Sequence, residues 1–300
     1  MTSAVTLPAL AKLNLFLRVL SRNEDGYHGL ETLLCLISLS DTLRAERKDG
    51  RGVTVEVAGP DVGPAAENLA VRAANRVLEA TGNRFAIHLT LTKRIPVRAG
   101  LGGGSSNAAA ALHAANHLAG DAVPRHELLQ FAAHLGSDVP FFLTGAPLAL
   151  AWSRGERMIR LPALPPSPAL LVTPRISIPT ADAYLWLDAA RGSSPQRGAL
   201  ALDLDALAGW GDIGRMAGND FESPVFGRHR EVRDAFEALA TTRPLVCRMS
   251  GSGSTLFAIY RSDRDREDAA MMLGRKHGMV IAVETVATPA PAVQPAAAAG

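Results

Sequence analysis

Cysteine is nearly absent: Cys35 and Cys247 are the only two among 300 residues. Two thiols exclude a disulfide framework and a four-cysteine zinc site. They suit a reducing compartment, and each reads best as a small buried hydrophobe. No run of about 18 apolar residues occurs, so no membrane span is expected. The apolar start LPALAKLNLFLRVL is interrupted by Lys12 and Arg18. No small-residue cleavage site follows a basic segment, so no signal peptide is expected and the cytoplasm is the expected location. A dominant charge is lacking too. Lys and Arg number 31 against 29 Asp and Glu, leaving +2. With no basic tract, no nucleic-acid partner is expected. Lysine itself is scarce, confined to Lys12, Lys48, Lys93 and Lys276. No repeat of fixed period is visible.

What is present is core material. Hydrophobic residues make up 47% of the chain, which excludes a wholly disordered protein. At about 150 residues per domain, the length fits one large domain or two ordinary ones. LNLFLRVL, VTVEV at 53–57 and FAIHLTLT alternate in polarity and predict half-buried strands. Apolar residues from Glu67 to Ala80 recur at helical spacing, with Gly82 as a stop. The Ala-rich stretch from Asn107 and the segment PRHELLQFAAHLG predict two more helices, the second with Pro124 suited to its first turn. PLALAW and RMIRLP predict a hairpin. PALPPSP at 162–168 reads as a linker.

Beyond it, strands are predicted at 169–173, 245–249, 255–260 and 279–286. Helices are predicted at 181–190, near 202–208, at 231–240 and at 265–277. With the middle helices as one layer, the order is β-α-β-β-α-β. The closing Pro/Ala stretch at 288–300 has nothing to pack and is expected to be disordered. The fold class is therefore α+β, with two parts meeting near residue 160.

GLGGGSSN at 100–107 lies between an alternating strand and the Ala-rich helix. Glycines let successive backbone N–H groups converge on one point, and a helix N-terminus adds unpaired donors. Ser105, Ser106 and Asn107 can cap the helix or bond an anion. The pattern predicts a phosphate cradle. It is not a GxxxxGK[ST] loop, because the chain has no Gly-Lys pair. It is not GxGxxG either, because the sixth position from Gly100 is Ser105. A second glycine patch, SGSGSTLFA at 250–258, reads equally as a hairpin turn or as further backbone donors for a phosphorylated ligand.

These pieces fit together with ALAKLNLFL, EDGYHGLETL, KRIPVRAGLGGGSSNAAAAL, GSDVPFFL, ISIPT, NDFE and SGSGSTLF, in that order. On these motifs the chain resembles the GHMP small-molecule kinases, over most of its length except the tail. The Gly26-Tyr27-His28 triplet, with SDVPFF downstream, narrows the resemblance to a branch acting on a cytidine-diphosphate-linked polyol. The resemblance implies a ribosomal-protein-S5-like N-terminal ATP-binding domain over 1–160. It also implies a ferredoxin-like split βαβ C-terminal domain over 161–287. The implied activity is ATP-dependent phosphorylation of a polyol hydroxyl in non-mevalonate isoprenoid synthesis. Mg²⁺ is expected with the triphosphate. The implied partner is the small-molecule substrate alone, and the implied state is a monomer or weak homodimer.

By resemblance Asp138 is the base and Lys12 its electrostatic partner. Phosphoryl transfer rests mostly on positioning and electrostatics, which suits so short a catalytic set. By residue type alone, Asp138 reads as a turn residue before Pro140, and Lys12 as a strand lysine reaching for water. The resemblance assigns ATP to Pro96, Val97, Arg98, Ala99, Gly100, Leu101, Gly102, Gly103, Gly104, Ser105 and Ser106. Asn68 and Lys93 are implied near the adenine, although Asn68 also suits a helix cap. Tyr27 is implied to stack on the cytosine, His28 to bond its edge, and Tyr184 to close the sandwich. Tyr184 equally fits a helix core with Ala181 and Leu187. Asn14 is implied at the polyol. One departure concerns the strand that carries Lys12: Leu10 stands where the family carries a proline.

Overall fold

The computed structural model describes residues 3–22, 28–192, 203, 205–288 and 294–295. Strand β1 (Ala4–Arg22) and strand β2 (His28–Lys48) form a long antiparallel pair, from Ala4 opposite Glu46 to Arg22 opposite His28. β3 (Gly52–Ala58), helix α1 (Leu69–Ala80) and β4 (Ala86–Thr92) follow. β3 lies parallel to β4, and β4 antiparallel to the end of β2. Next come α2 (Gly103–Leu118), α3 (Arg125–Leu135) and α4 (Val139–Thr144). The hairpin of β5 (Leu148–Ser153) and β6 (Arg157–Arg160) attaches to the first half of β2.

β2 is the longest of the elements that sequence pattern does not predict. Leu33, Leu34, Cys35, Leu36 and Ile37 are all buried. A strand covered on both faces loses the alternation that betrays a half-buried one. Its ladder to β1 slips where Leu10 faces Ser40 and Ala11 faces Ile37. β2 therefore carries Ser38 and Leu39 as extra residues there, a local bulge.

The second sheet contains β7 (Pro168–Thr173), β8 (Val246–Met249), β9 (Leu256–Ile259) and β10 (Met279–Glu284). Its order is β10-β7-β9-β8, with every neighbouring pair antiparallel. That is the split βαβ plan the element order predicts. Between β7 and β8 run α5 (Thr180–Arg191), α6 (Trp210–Met216), α7 (Glu222–Arg228) and α8 (Arg230–Ala240). α9 (Asp263–Leu273) joins β9 to β10 and stops at Gly274, short of the predicted residue 277. In place of a helix near 202–208, the described residues show a single 3-10 turn at Asp205–Leu207. α6 and α7 were not predicted. Within the expected tail, Gln294 and Pro295 form a short strand, β11, on β1. Residues 289–293 and 296–300 lie outside the described residues. Among the described residues, no helix is long and apolar enough to cross a membrane.

Period-two alternation sets the layering. On β7, Ala169 and Leu171 face a core shared with Leu13, Leu15, Cys35 and Ile37 of the first sheet. Leu170 and Val172 face the opposite core, against Ala183, Leu187, Val232 and Leu239 of the helices. The first sheet uses its other face against α1 to α4, where the alanines of α2 are buried. The two sheets thus pack on each other, with helices outside both. Leu171 is fully buried between them, and its truncation to Ala is expected to cost about 2–5 kcal/mol.

Candidate active site

The glycine loop crosses from β4 to α2 at the junction of the two sheets. Arg98, Gly100 and Gly102 all have positive φ, at 54°, 79° and 72°. At Gly100 the requirement for glycine is absolute, since a Cβ there would lie 2.0 Å from the carbonyl oxygen of Ser250. This contact gives the second glycine patch a place: it buttresses the first. The Ser250 hydroxyl donates to the Gly100 carbonyl at 2.9 Å, and the Thr255 N–H donates to the Ala99 carbonyl at 3.4 Å. Pro96 to Ser105 line one wall of a cleft of about 1590 Å³. Ser106 does not, because it turns inward and is buried. The N–H groups at the start of α2 lack partners within the helix, which makes this end of the cleft a receptor for anions.

Lys12 projects from β1 and is only 3% exposed. Its ammonium donates to the Gly100 carbonyl at 2.9 Å and to Asn14 Oδ1. It lies 3.6 Å from Asp138 Oδ2. Leu10, two residues earlier on β1, leaves Lys12 pointing at these groups. Asp138 directly precedes α4, yet its side chain caps no backbone N–H. The carboxylate is instead turned to the cleft and to Lys12. Burial pushes the Lys12 ammonium below its ordinary pKa of 10.5, and the Asp138 carboxylate opposes that shift. Asn14 is held in turn: its amide donates to Thr32 Oγ1 at 2.8 Å, and the Thr32 hydroxyl donates to the Phe16 carbonyl.

The opposite wall comes from α5 and the start of β2. Ala181, Tyr184, Leu185 and Asp188 share one face of α5 and all line the cleft. The His28 and Tyr184 rings stack at 5.2 Å between centroids and 16° between planes. They already touch, leaving no gap for a flat base between them. His28 Nδ1 is 3.2 Å from the Leu20 carbonyl, and Nε2 is 3.1 Å from Asp188 Oδ1. Phe221 meets the Tyr184 ring edge-on at 4.9 Å. Burial, reinforced by Asp138, pushes the Tyr184 phenol up to about 12. Tyr27, the expected stacking partner of the cytosine, lies outside the described residues.

Residues 68–146 match the profile of the GHMP kinases N terminal domain, and residues 203–278 that of the GHMP kinases C terminal. The 4-diphosphocytidyl-2-C-methyl-D-erythritol kinase of Solibacter usitatus is 41% identical over 277 residues, covering 89% of this chain and 85% of its own. The kinase of the same name from Parvibaculum lavamentivorans is 38% identical, covering 92% and 96%. A crystal structure of 4-(cytidine 5'-diphospho)-2C-methyl-D-erythritol kinase superposes with a TM-score of 0.78 at 36% identity, covering 93% of this chain and 98% of that one. The chain belongs to the GHMP kinases, in the family of the 4-diphosphocytidyl-2-C-methyl-D-erythritol kinases. A homoserine kinase from Cytophaga hutchinsonii, with a TM-score of 0.73 at 21% identity, shows the shared fold alone.

Membership makes the chain a kinase with ATP as co-substrate, and several motifs of the family have structural work in it. In NDFE, the Asn219 amide donates to the carbonyls of Met249 and Gly251, at 2.7 and 2.8 Å, and so holds the second glycine patch. Asp220 accepts from the Val19 N–H at 2.9 Å and from Arg191 at 2.7 Å, tying β1 to the end of α5. Glu222 accepts from the Met249 N–H, and burial pushes its carboxyl up. Asn68 lines the cleft and also caps α1, accepting from the Ala70 N–H at 2.9 Å. Lys93 also borders the cleft, but its ammonium is turned to Asp41 and Asn107. Sequence reasoning missed Thr32, Asp41, Asp188 and Ser250. Thr32 and Ser250 sit inside EDGYHGLETL and SGSGSTLF, Asp41 and Asp188 in stretches without a motif, and only the fold reveals the partner of each.

Proposed function

We propose that the chain transfers the γ-phosphoryl group of ATP to the 2-hydroxyl of 4-diphosphocytidyl-2-C-methyl-D-erythritol, with Asp138 as base. The observation that carries this reading is the Asp138 carboxylate, uncommitted to its helix and 3.6 Å from the buried Lys12 ammonium beside the glycine loop. The acceptor hydroxyl gives its proton to Asp138 as its oxygen forms the new bond to the γ-phosphorus. The bond from that phosphorus to the β,γ-bridging oxygen breaks, and ADP leaves. The Lys12 ammonium stabilises negative charge on the acceptor oxygen, and its bond to Gly100 registers that charge against the loop. Asn14, fixed by Lys12 and Thr32, faces the polyol. His28, Tyr184 and the α5 face provide the wall for the cytidyl group. Groups from before and after residue 160 border one cleft, and a cleft between two domains is a common place for a ligand site.

Among the described residues, no group of three or more His, Cys, Asp or Glu could hold a metal ion. A Mg²⁺ would come with the triphosphate, and Ser105, on the cleft wall, would be the loop residue able to offer it a hydroxyl oxygen. When bound, it neutralises phosphate charge. The test is coupled ADP release by purified protein with Mg-ATP and each of four acceptors: the cytidyl polyol, homoserine, mevalonate and galactose. Turnover with the first alone supports the reading. Turnover with another acceptor overturns the assignment of the cytidyl wall.

A further inference from the structure

Asp41 is a completely buried carboxylate on β2 that no step above uses. Both of its oxygens are occupied. Oδ1 accepts the backbone N–H groups of Arg94 at 2.7 Å and Ile95 at 2.9 Å. Oδ2 accepts from the Lys93 ammonium and, at 2.9 Å, from the Asn107 amide. Lys93 also donates to Asn107 Oδ1 at 2.9 Å, closing a triangle of three side chains. The triangle joins the chain entering the glycine loop to the early part of α2 leaving it. It also lies directly beneath the helix start. A Cβ on Gly103 would come within 3.3 Å of Lys93 Nζ and 3.0 Å of Ile95 Cγ2.

A buried ion pair adds little net stability, because desolvation offsets the attraction. Geometry is what this one supplies. It fixes both ends of a loop whose glycines would otherwise leave it free to move. Because Asp41 neutralises Lys93, the phosphates are left to the backbone N–H groups, whose aim depends on loop shape.

We propose that Asp41 is a positioning residue for the nucleotide: acting through Lys93 and Asn107, it holds the glycine loop and the first turn of α2 in the shape that receives the ATP phosphates. The inference rests on the reading of that loop as the ATP site. Its test is calorimetric titration of the full chain with a non-hydrolysable ATP analogue and, separately, with CDP. The variants are Asp41→Asn and Asn107→Ala, the second leaving the ion pair in place. The expected result for Asp41→Asn is at least a tenfold loss of affinity for the ATP analogue, with CDP affinity within about twofold. Asn107→Ala is expected to show the same selectivity with a three- to tenfold loss, which keeps the test available if Asp41→Asn does not fold. In steady state the KM for ATP rises, while kcat at saturating ATP stays within about threefold.

Equal losses for both ligands would mean a purely structural role and overturn the proposal. Tighter binding of the ATP analogue by Asp41→Asn would also overturn it, because Lys93 would then be a phosphate ligand that Asp41 holds back. Failure of the ATP-site reading on which it rests would appear separately, as absent ATP-analogue binding by the unmodified chain.

Discussion

Lys12 Nζ sits 3.6 Å from Asp138 Oδ2 and 2.9 Å from the Gly100 carbonyl, so one buried cation links the Asp138 carboxylate to the glycine loop. The two residues reach this point from distant parts of the chain, one from the first strand and the other from the turn before α4.

This link has a pH signature. In the proposed mechanism Lys12 acts as an ammonium, and burial lowers its pKa from 10.5. Activity is therefore expected to fall on the alkaline side before pH 10.5, as Lys12 loses its proton. Lys12→Arg is expected to be slower but to lack this limb, because a guanidinium stays charged. The pH profile of kcat/KM for both proteins checks this.

Two glycines of one loop are expected to differ sharply. Gly100→Ala places a Cβ 2.0 Å from the Ser250 carbonyl at a φ of 79°. The backbone conformation alone costs about 1–3 kcal/mol, and the clash adds to it, so a lowered melting temperature and lost activity are expected. Gly104→Ala meets nothing nearer than Leu69 Cδ1 at 3.9 Å. Its melting temperature is expected to hold or rise, since Ala favours a helix. Its KM for ATP is expected to increase, because the new methyl group enters the cleft wall. Thermal melts and steady-state kinetics separate the two.

Asn219→Ala removes a buried amide that serves the carbonyls of Met249 and Gly251. Leaving such acceptors unpaired costs about 1–3 kcal/mol. Denaturant unfolding measures that loss. A reduced kcat is expected beside it, because the second glycine patch supports the first.

Both thiols are expected to be inert in the folded protein. Burial pushes Cys35 and Cys247 up to about 12, so neither forms appreciable thiolate at pH 8. Ellman's reagent is expected to react with both only after denaturation.

The legible parts of the fold were those whose sequence alternates in polarity or carries a glycine signature. The alternation in β4, the loop at 100–107 and the β-α-β-β-α-β order survive in the structure. β1 is a strand as expected but not half-buried: Ala11 to Leu17 are buried on both faces, and the polar Lys12 and Asn14 keep its period visible in the sequence. β2 escaped because burial on both sides erases its period. The contacts of Ser250 and Asn219 escaped because they join segments far apart in sequence, at positions that local pattern cannot pair. Asp41 escaped for a related reason. Between Ser40 and Thr42 it looks like part of a polar turn, and only the bulge in β2 and the return of β4 place it under α2. Lys12 and Asp138 were legible through motif resemblance, whereas their closeness needed the fold.

The central claim is that Asp138 takes the proton of the acceptor hydroxyl. Rapid-quench single turnover of labelled ATP with the cytidyl polyol, on the unmodified chain and on Asp138→Asn, tests it most directly. The account predicts a fall of about 10²–10⁴-fold in the phosphoryl-transfer rate, with ATP-analogue and CDP affinities each within about threefold. A transfer rate within about threefold of the unmodified chain would contradict it.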